Sequence, residues 1–465
     1  MRYTRRVNGK VEDEATISLE DEGGIRRRPP AGPSLVLALA ASAPSEPPAC
    51  ISLANVDKVR LGRGPRYRVV RGESRELTVE LADPSTSSSH ARLVRLERGW
   101  AIADDGSKNG TLVNGRRVLR AELGPDDVIE LGTSFFVVRP EVDDTDLDGL
   151  PLRTLHAGFA DDLRLLARIA RARVPILLLG ETGTGKELLA RATHELSRRP
   201  GPFVAVNCGA IPATLIESEL FGARKGAFTG ASADRIGAVA AAHDGTLFLD
   251  EIAELPEPSQ AALLRVLQDG EVVALGGTRP IRVDVRVVAA THQDLRERVA
   301  AGRFRNDLYA RVRGHVLTLP PLRKRREDLG LLCAELLRRA AGKRAADITM
   351  APAVARAILR HDWPHNVREL EHVLARAIAL LDGDKLQLAH LPEVIAALAL
   401  PGSRGKPNHD RTRLLQLVRR HTGNLSAVAR DLMTSRAQVH RLLRRQGIDP
   451  AQLLATPARE SSDGA

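Results

Sequence analysis

The chain has 465 residues, 43% of them hydrophobic and 3% aromatic, with 69 Lys and Arg against 58 Asp and Glu for a net charge of +11. That length fits about three domains, and the basic balance, with a sequence pI near 10.1, favours polyanionic partners. The widely separated Cys50, Cys208 and Cys333 offer no metal spacing, and no apolar run approaches the roughly 20 residues of a membrane span, so disulfide-stapled and membrane-spanning classes are set aside and a soluble, cytoplasmic protein is expected.

Residues 1–33 alternate acidic and basic runs around Pro30 and Pro33, which predicts a flexible lead-in. Across 34–140 the texture changes. Short β-type runs at 35–39, 56–62, 66–70, 76–81, 91–96, 99–104, 111–113 and 134–138, separated by turns, predict a β-sandwich. Its loops hold Gly62-Arg63, Ser87-x-x-His90, DGSKNGT over 105–111 and Asn114-Gly115. With that ordered set the region resembles the forkhead-associated (FHA) domain, a phosphothreonine-reading sandwich. The resemblance implies that Arg63 and Ser87 face the phosphate, with Ser88 and Lys108 assisting. It gives Asn109 the bound peptide's backbone and His90 the bracing of the loops. A guanidinium and hydroxyls form charge-assisted bonds to a phosphate dianion. Ordinary hairpin turns would explain NGT and VNG, but not Arg63, Ser87 and His90 in that order.

Residues 141–155 are acidic, aperiodic and contain Pro151, which predicts a linker before a domain at 156–397. A helix is expected over 159–172 and a buried strand over 174–179 (VPILLL). Then follow Gly180, Glu181, Thr182, Gly183, Thr184, Gly185, Lys186 and Glu187, and a helix over 188–197. Strand, G-x-x-x-x-G-K loop and helix form a phosphate cradle: glycines bring backbone N–H groups close, the helix N-terminus adds a favourable dipole, and Lys186 reaches the terminal phosphates. Glu187 stands where the generic loop has the Ser or Thr that touches Mg2+.

The run DGTLFLDEI over 244–252 reads as a strand ending in two carboxylates, Asp250 to hold magnesium and Glu251 to polarise the attacking water. A further strand over 283–291 ends at Thr291-His292. Strands alternating with helices predict an open, mostly parallel sheet with nucleotide at its C-terminal edge. Within ELFGARKGAFTGA stands the run Gly226, Ala227, Phe228, Thr229, Gly230, Ala231, whose exposed aromatic on a glycine-flanked loop suggests a partner.

Over about 150–397 these motifs resemble the sigma-54-dependent activators, also called bacterial enhancer-binding proteins, a group of AAA+ ATPases. The resemblance implies that the GAFTGA loop contacts the sigma-54 subunit of RNA polymerase. It makes Thr291 a sensor of the terminal phosphate and Arg305 and Arg311 arginine fingers acting on a neighbouring subunit. Arg368, in WPHNVREL, becomes a nucleotide-contacting residue of the helical lid. Asn207 matches a residue that pairs with the catalytic glutamate. Fingers in trans imply a homo-oligomer, a hexamer or heptamer by family analogy. Departures from the pattern are Ala223-Arg224 for His-Glu, Val239-Ala240 for Phe-Glu and His365 for Gly; further on, Met433 stands where the turn of a helix-turn-helix normally has Gly.

After a linker over 398–410, residues 411–450 carry helix-patterned runs at 412–421, 425–432 and 435–446, before a tail over 451–465. Between 411 and 446 nine arginines stand against the single acid Asp431, a local charge of +8 that attracts the phosphates of double-stranded DNA. The last two runs resemble a Fis-type helix-turn-helix, with Ser435, Arg436, Gln438, His440 and Arg441 placed to reach base edges. The chain therefore reads as a multidomain protein: an FHA β-sandwich, an α/β AAA+ ATPase with a helical lid, and an all-α helix-turn-helix. The expected function is sigma-54-dependent activation that is ATP-driven, bound at upstream DNA and tuned by a phosphothreonine protein. The alternatives are a phosphopeptide-responsive DNA-binding regulator or scaffold with a weak or inactive ATPase, and a general AAA+ remodeller with another client.

Overall fold

The computed structural model describes residues 32–399 apart from 73, 141, 147–152 and 228–232, with only the backbone of 142–146. Beyond them it describes 418, 420, 421, 424–431, 436, 439, 440 and 443. The chain divides into two units, Met1–Leu400 and Pro401–Ala465.

The N-terminal region folds through Ser34–Ala40 (β1), Ala49–Ser52 (β2), Lys58–Arg63 (β3), Arg68–Arg71 (β4), Glu76–Leu81 (β5) and Ala91–Arg95 (β6). It continues with Trp100–Asp104 (β7), Thr111–Val113 (β8), Arg116–Val118 (β9), Arg120–Leu123 (β10), Val128–Leu131 (β11) and Ser134–Arg139 (β12). Two sheets result, ordered β2-β1-β12-β11-β8-β9 and β10-β7-β6-β3-β5-β4. Leu35, Leu61, Leu93, Ile102, Ile129 and Phe136 fill the space between them. The predicted sandwich is present; β2, β9, β10 and β11 are too short or too mixed to announce themselves in sequence. β1 (SLVLALA) and β12 (SFFVVR) do not alternate, because the second face of their sheet is covered as well. Val36, Ala38, Phe135 and Val137 on that face join the apolar core of the lid.

Residues 141–155 are more than a linker. Val142–Asp146 (β13) and Arg153–His156 (β14) pair antiparallel, and the Asp328 carboxylate accepts from the Thr154 hydroxyl and the Leu155 N–H, both at 2.6 Å. The His156 ring then caps Ala157–Ile169 (α1) by accepting from Phe159 N.

The α/β domain proceeds through Ile176–Leu179 (β15), Lys186–Ser197 (α2), Phe203–Asn207 (β16) and Ile216–Phe221 (α3). Next come the small hairpin of Gly222–Ala223 (β17) with Arg235–Ile236 (β18), then Ala238–Ala241 (α4) and Thr246–Asp250 (β19). Glu257–Asp269 (α5), Glu271–Val272 (β20), Ile281–Arg282 (β21), Arg286–Thr291 (β22), Leu295–Ala300 (α6), Asn306–Val312 (α7) and His315–Thr318 (β23) complete it. The sheet is parallel throughout, ordered β16-β19-β22-β15-β23, as the continuous apolar runs ILLL, TLFL and RVVAAT require of strands buried on both faces. Leu329–Ala341 (α8), Pro352–Arg360 (α9), Asn366–Ala379 (α10) and Glu393–Ala396 (α11) form the lid around the fully buried Trp363. A buried side chain of this size contributes about 1.5–3 kcal/mol, so the lid cannot lose Trp363 cheaply.

In the second unit Leu425–Asp431 is helical, with the Asn424 side chain accepting from Ser426 N and Ala427 N, the geometry of an N-cap. Val418, Leu425, Val428, Val439 and Leu443 are buried. Residues 1–31 of the expected lead-in (1–33), and 400–417 from the expected linker (398–410) and first helical run (412–421), lie outside the described residues. Among the described residues no helix is long and apolar enough to cross a membrane.

Candidate nucleotide site and phosphate-reading loops

The β15–loop–α2 turn aims backbone N–H groups over the C-terminal edge of the sheet, where β19 delivers Asp250 and Glu251 and β22 delivers Thr291. Lys186 Nζ lies 2.8 Å from the Gly180 carbonyl oxygen and 3.3 Å from that of Glu181. Burial lowers the proton affinity of this lysine, against the pull of Glu251 and Asp250. Burial, and next the Glu251 charge, push the Asp250 carboxyl above its ordinary range, while Lys186 draws it down. The site thus holds a desolvated cation beside two crowded carboxylates. An added phosphate relieves the first and a divalent cation the second. Magnesium in nucleotide enzymes takes one or two carboxylates plus phosphates and water, and Asp250 fits that donor set. Glu187, in the first turn of α2, is ion-paired with Arg191 at 2.8 Å, and its charge adds to the upward push on Asp250.

Glu251 takes a left-handed φ of 52° at the strand end. Its carboxylate is 2.8 Å from His292 Nδ1 and 3.3 Å from the Thr291 hydroxyl. Asn207 stands in register with Asp250 across β16 and β19, but its side-chain oxygen accepts from Gly209 N at 3.0 Å. The histidine, rather than Asn207, is the glutamate's close polar partner.

The lid closes the other wall. A Cβ at Gly183, whose φ is +78°, would collide with the His365 carbonyl oxygen and come within 3.1 Å of Arg368 Cβ. Val367 N donates to the Gly183 carbonyl at 3.0 Å. Arg368 is placed beside the phosphate loop, and its charge acts on Lys186. His365 itself sits at φ −106°, so a side chain replaces glycine there without strain; the glycine requirement falls on Gly183. Two residues escaped sequence reasoning. Arg323 forms a paired contact with the Glu181 carboxylate at 2.7 and 2.5 Å and holds it well below the usual carboxylate range. Asn366 donates to Glu181 and Thr182 and accepts from Leu322 N. The available signal was position, one residue inside WPHNVREL for Asn366 and a basic run after PPL for Arg323.

Arg305 and Arg311 lie on or beside α7. Arg305 pairs with Asp307 at 2.7 Å, and the guanidinium of Arg311 donates to the Leu267 carbonyl at 3.2 Å. The loop with Gly226 and Ala227 springs from the β17–β18 hairpin; Phe228, Thr229, Gly230 and Ala231 lie outside the described residues. Its stem is closed by Asp234, which accepts from Lys225 N at 2.8 Å and pairs with Arg224 at 2.5 Å. Ala223 is buried and its neighbour Arg224 bonds through N–H to the Leu275 carbonyl. The departures at 223–224 therefore fill structural places. Val239 is fully buried, with Ala240 packed against the same core.

On the sandwich, the loops that carry the candidate phosphothreonine-binding residues meet at one end. Arg63 N donates to Ser87 O at 2.9 Å, Lys108 N to the Ser87 hydroxyl at 3.1 Å, and the Asn109 amide to Ser85 O at 2.7 Å. Arg63, Ser88, Lys108 and Asn109 are exposed. The buried His90 ring joins Ser87 N at 3.0 Å to the Gly110 carbonyl at 3.2 Å, the bracing place expected for it. Asp104 orders the third loop: burial raises its pKa, but hydrogen bonds from Ser107, Thr111 and Gly106 outweigh that and hold it at about 2. In the second unit Arg436 and His440 are exposed, while Ser435, Gln438 and Arg441 lie outside the described residues.

A phosphate loop facing a strand-end Asp-Glu pair, roofed by a helical lid, defines the AAA+ class of ATPase domain. Residues 154–318 match the sigma-54 interaction domain, 323–406 the AAA+ ATPase lid domain and 59–132 the FHA domain. The α/β domain and its lid are those found in the sigma-54-dependent activators, and the chain carries an FHA domain ahead of them. It is 44% identical over 304 residues to the acetoin catabolism regulatory protein of Cupriavidus necator, covering 62% of this chain and 45% of that one. With the DNA-binding transcriptional regulator NtrC of Rhizobium meliloti it shares 47% over 246 residues, 52% of this chain and 51% of the relative. The chain thus spans about half the length of these curated relatives. A crystal structure of NtrX from Brucella abortus in complex with ATP is 32% identical, with a TM-score of 0.48, over 64% of this chain and 69% of that one.

Proposed function

We propose that this chain is an ATP-driven activator of the sigma-54 RNA polymerase, held at upstream double-stranded DNA by residues 411–450 and tuned by a phosphothreonine-containing protein through its FHA loops. The observation that carries the reading is the convergence of Lys186, Asp250, Glu251 and Thr291 at one sheet edge with Arg368 of the lid beside them, in a domain whose β17 and β18 flank the GAFTGA run. Bound ATP extends along the N–H groups of the phosphate loop, with Lys186 and Arg368 beside the terminal phosphates. Magnesium, held through Asp250, would neutralise charge on those phosphates. Glu251 orients the attacking water, and the His292 contact fixes its carboxylate. Arg305 and Arg311, both paired away from their own phosphate loop, serve a neighbouring subunit's site in a ring of six or seven, which makes the homo-oligomer part of the mechanism. Hydrolysis moves Phe228 and Thr229 against sigma-54 and remodels the closed promoter complex. The arginine density of the C-terminal unit, and a relative named as a DNA-binding regulator, support the DNA role and a cytoplasmic place of action.

The test is open-complex formation on a sigma-54 promoter in vitro, with ATPase measured alongside. Wild type is expected to hydrolyse ATP and open the promoter. Glu251→Gln should lose about 10²–10⁴-fold in turnover while still binding nucleotide, and Thr229→Ala should hydrolyse without opening. The rival of a scaffold with an idle motor rests on Val239-Ala240, where a buried Val and a half-buried Ala stand in place of Phe-Glu. Equal, negligible turnover in wild type and Glu251→Gln would establish that rival.

A further inference from the structure

The outer face of the β1-β12-β11 sheet is buried and mostly apolar. Val36, Ala38, Leu39, Ala41, Phe135 and Val137 pack in one continuous core with the lid. The backbones themselves meet: a Cβ at Gly330, in the first turn of α8, would collide with the Ala38 carbonyl oxygen. Met350 N donates to the Ala41 carbonyl at 2.6 Å. Two buried ion pairs cross the seam, Arg139 with Glu327 at 2.7 Å and Arg356 with Glu130 at 2.5 Å. A charge buried on either side would be left without a counterion if the two parted.

The lid segment that receives Arg139 also holds the nucleotide site. Within 322–328, Leu322 N donates to Asn366, Arg323 grips Glu181, Arg325 donates to the Thr184 carbonyl at 3.1 Å, and Glu327 and Asp328 face the sandwich and β14. At the sandwich's other end the connection continues to the reading loops. Ala41 N donates to Thr133 O at 2.8 Å, Thr133 N to the buried Asp83 carboxylate at 2.6 Å, and Ser85 N to the same carboxylate at 2.9 Å. Ser85 O in turn accepts from Asn109.

We infer that the FHA sandwich is an integral wall of the ATPase lid rather than a tethered module, and that residues 322–328 transmit its seating to the phosphate loop. The first half stands on packing alone; the second rests on the ATPase reading above. A chain of contacts becomes a coupling only when it is measured, and the full chain allows that measurement.

Native-state hydrogen exchange in increasing urea reads the first half. Amides of β1 and β12 are expected to open together with those of α8 and α9, as one cooperative unit. Opening of the sandwich at lower urea while α8 stays protected overturns the inference. Binding of methylanthraniloyl-ADP reads the second half, in Arg139→Leu, Glu327→Gln and the double variant. Each single change is expected to weaken binding by about fivefold or more, the lower range of typical couplings. The double variant is expected to weaken it no further than the worse single one. Unchanged affinity, or losses that simply multiply, overturns the relay. If Arg139→Leu does not fold, Arg139→Gln, which removes the charge but keeps a polar side chain, takes its place with the same expected outcome. A wild-type chain that binds no ADP refutes the ATPase reading, and the exchange experiment then still decides the docking.

Discussion

Asp104 shows how one side chain can organise a recognition loop. It accepts from Ser107 N at 3.0 Å, from the Ser107 hydroxyl at 2.6 Å and from the Thr111 hydroxyl at 2.7 Å, and so shapes the turn that presents Lys108 and Asn109. Its pKa falls from an ordinary 3.8 to about 2. A depressed carboxylate contributes stability above the unfolded value and loses it as pH falls through the folded one. The site is largely open to solvent, so the full linkage value is discounted to about 1 kcal/mol. The unfolding free energy from urea titration is expected to drop by about that amount more in wild type than in Asp104→Asn between pH 4 and pH 2. The same variant should weaken binding of phosphothreonine peptides, measurable by fluorescence anisotropy, while leaving ATPase unchanged. Residue identity made this loop legible beforehand, since DGSKNGT carries its own turn chemistry. The engagement of Glu251 by His292 was not legible, because the two are 41 positions apart and meet only when β19 and β22 pair.

At the scale of elements, the tip of α10 and the phosphate loop are built against each other. Gly183 is fixed by a backbone oxygen of His365, which cannot swing aside as a side chain would. Gly183→Ala is expected to push the lid away from the loop and strain a residue at φ +78°, at a cost of about 1–3 kcal/mol. Nucleotide affinity should fall at least tenfold, with the sandwich's own exchange protection retained. The GAFTGA stem follows similar logic: Asp234 closes it, so Asp234→Ala should loosen the loop and reduce promoter opening more than ATP turnover, compared in the same reaction. The α/β elements were readable from apolar runs of the right length. The lid's contacts were not, because helical periodicity tells which face is buried and not against what.

For the whole molecule, two predictions follow from charge and assembly. On the proposed DNA role, the +8 of residues 411–446 predicts an affinity that falls steeply with salt, with a log–log slope of about −0.9 per phosphate contacted. Replacing Arg436 by Ala should make the slope about one unit shallower, read by titration between low and physiological salt. If Arg305 and Arg311 serve a neighbour, Lys186→Ala and Arg311→Ala chains are each expected to be inactive alone and to recover part of the ATPase activity when mixed. No recovery at any ratio would argue against fingers in trans.

The sequence by itself determined which chemistry stands where: the phosphate loop, the Asp250-Glu251 pair, the GAFTGA run, the ordered FHA loop residues and the basic C-terminus. Each is a local pattern whose physical demand, a tight turn, a strand-end acid or a cluster of charge, is met within a few residues. What only the tertiary structure decided is how those parts bear on one another. The apolar outer faces of β1 and β12 were visible as runs, yet nothing local said that a helical lid covers them. Arg139 and Glu327 are 188 positions apart, and their pairing arises because burying those two faces is worth more than leaving a linker free between them.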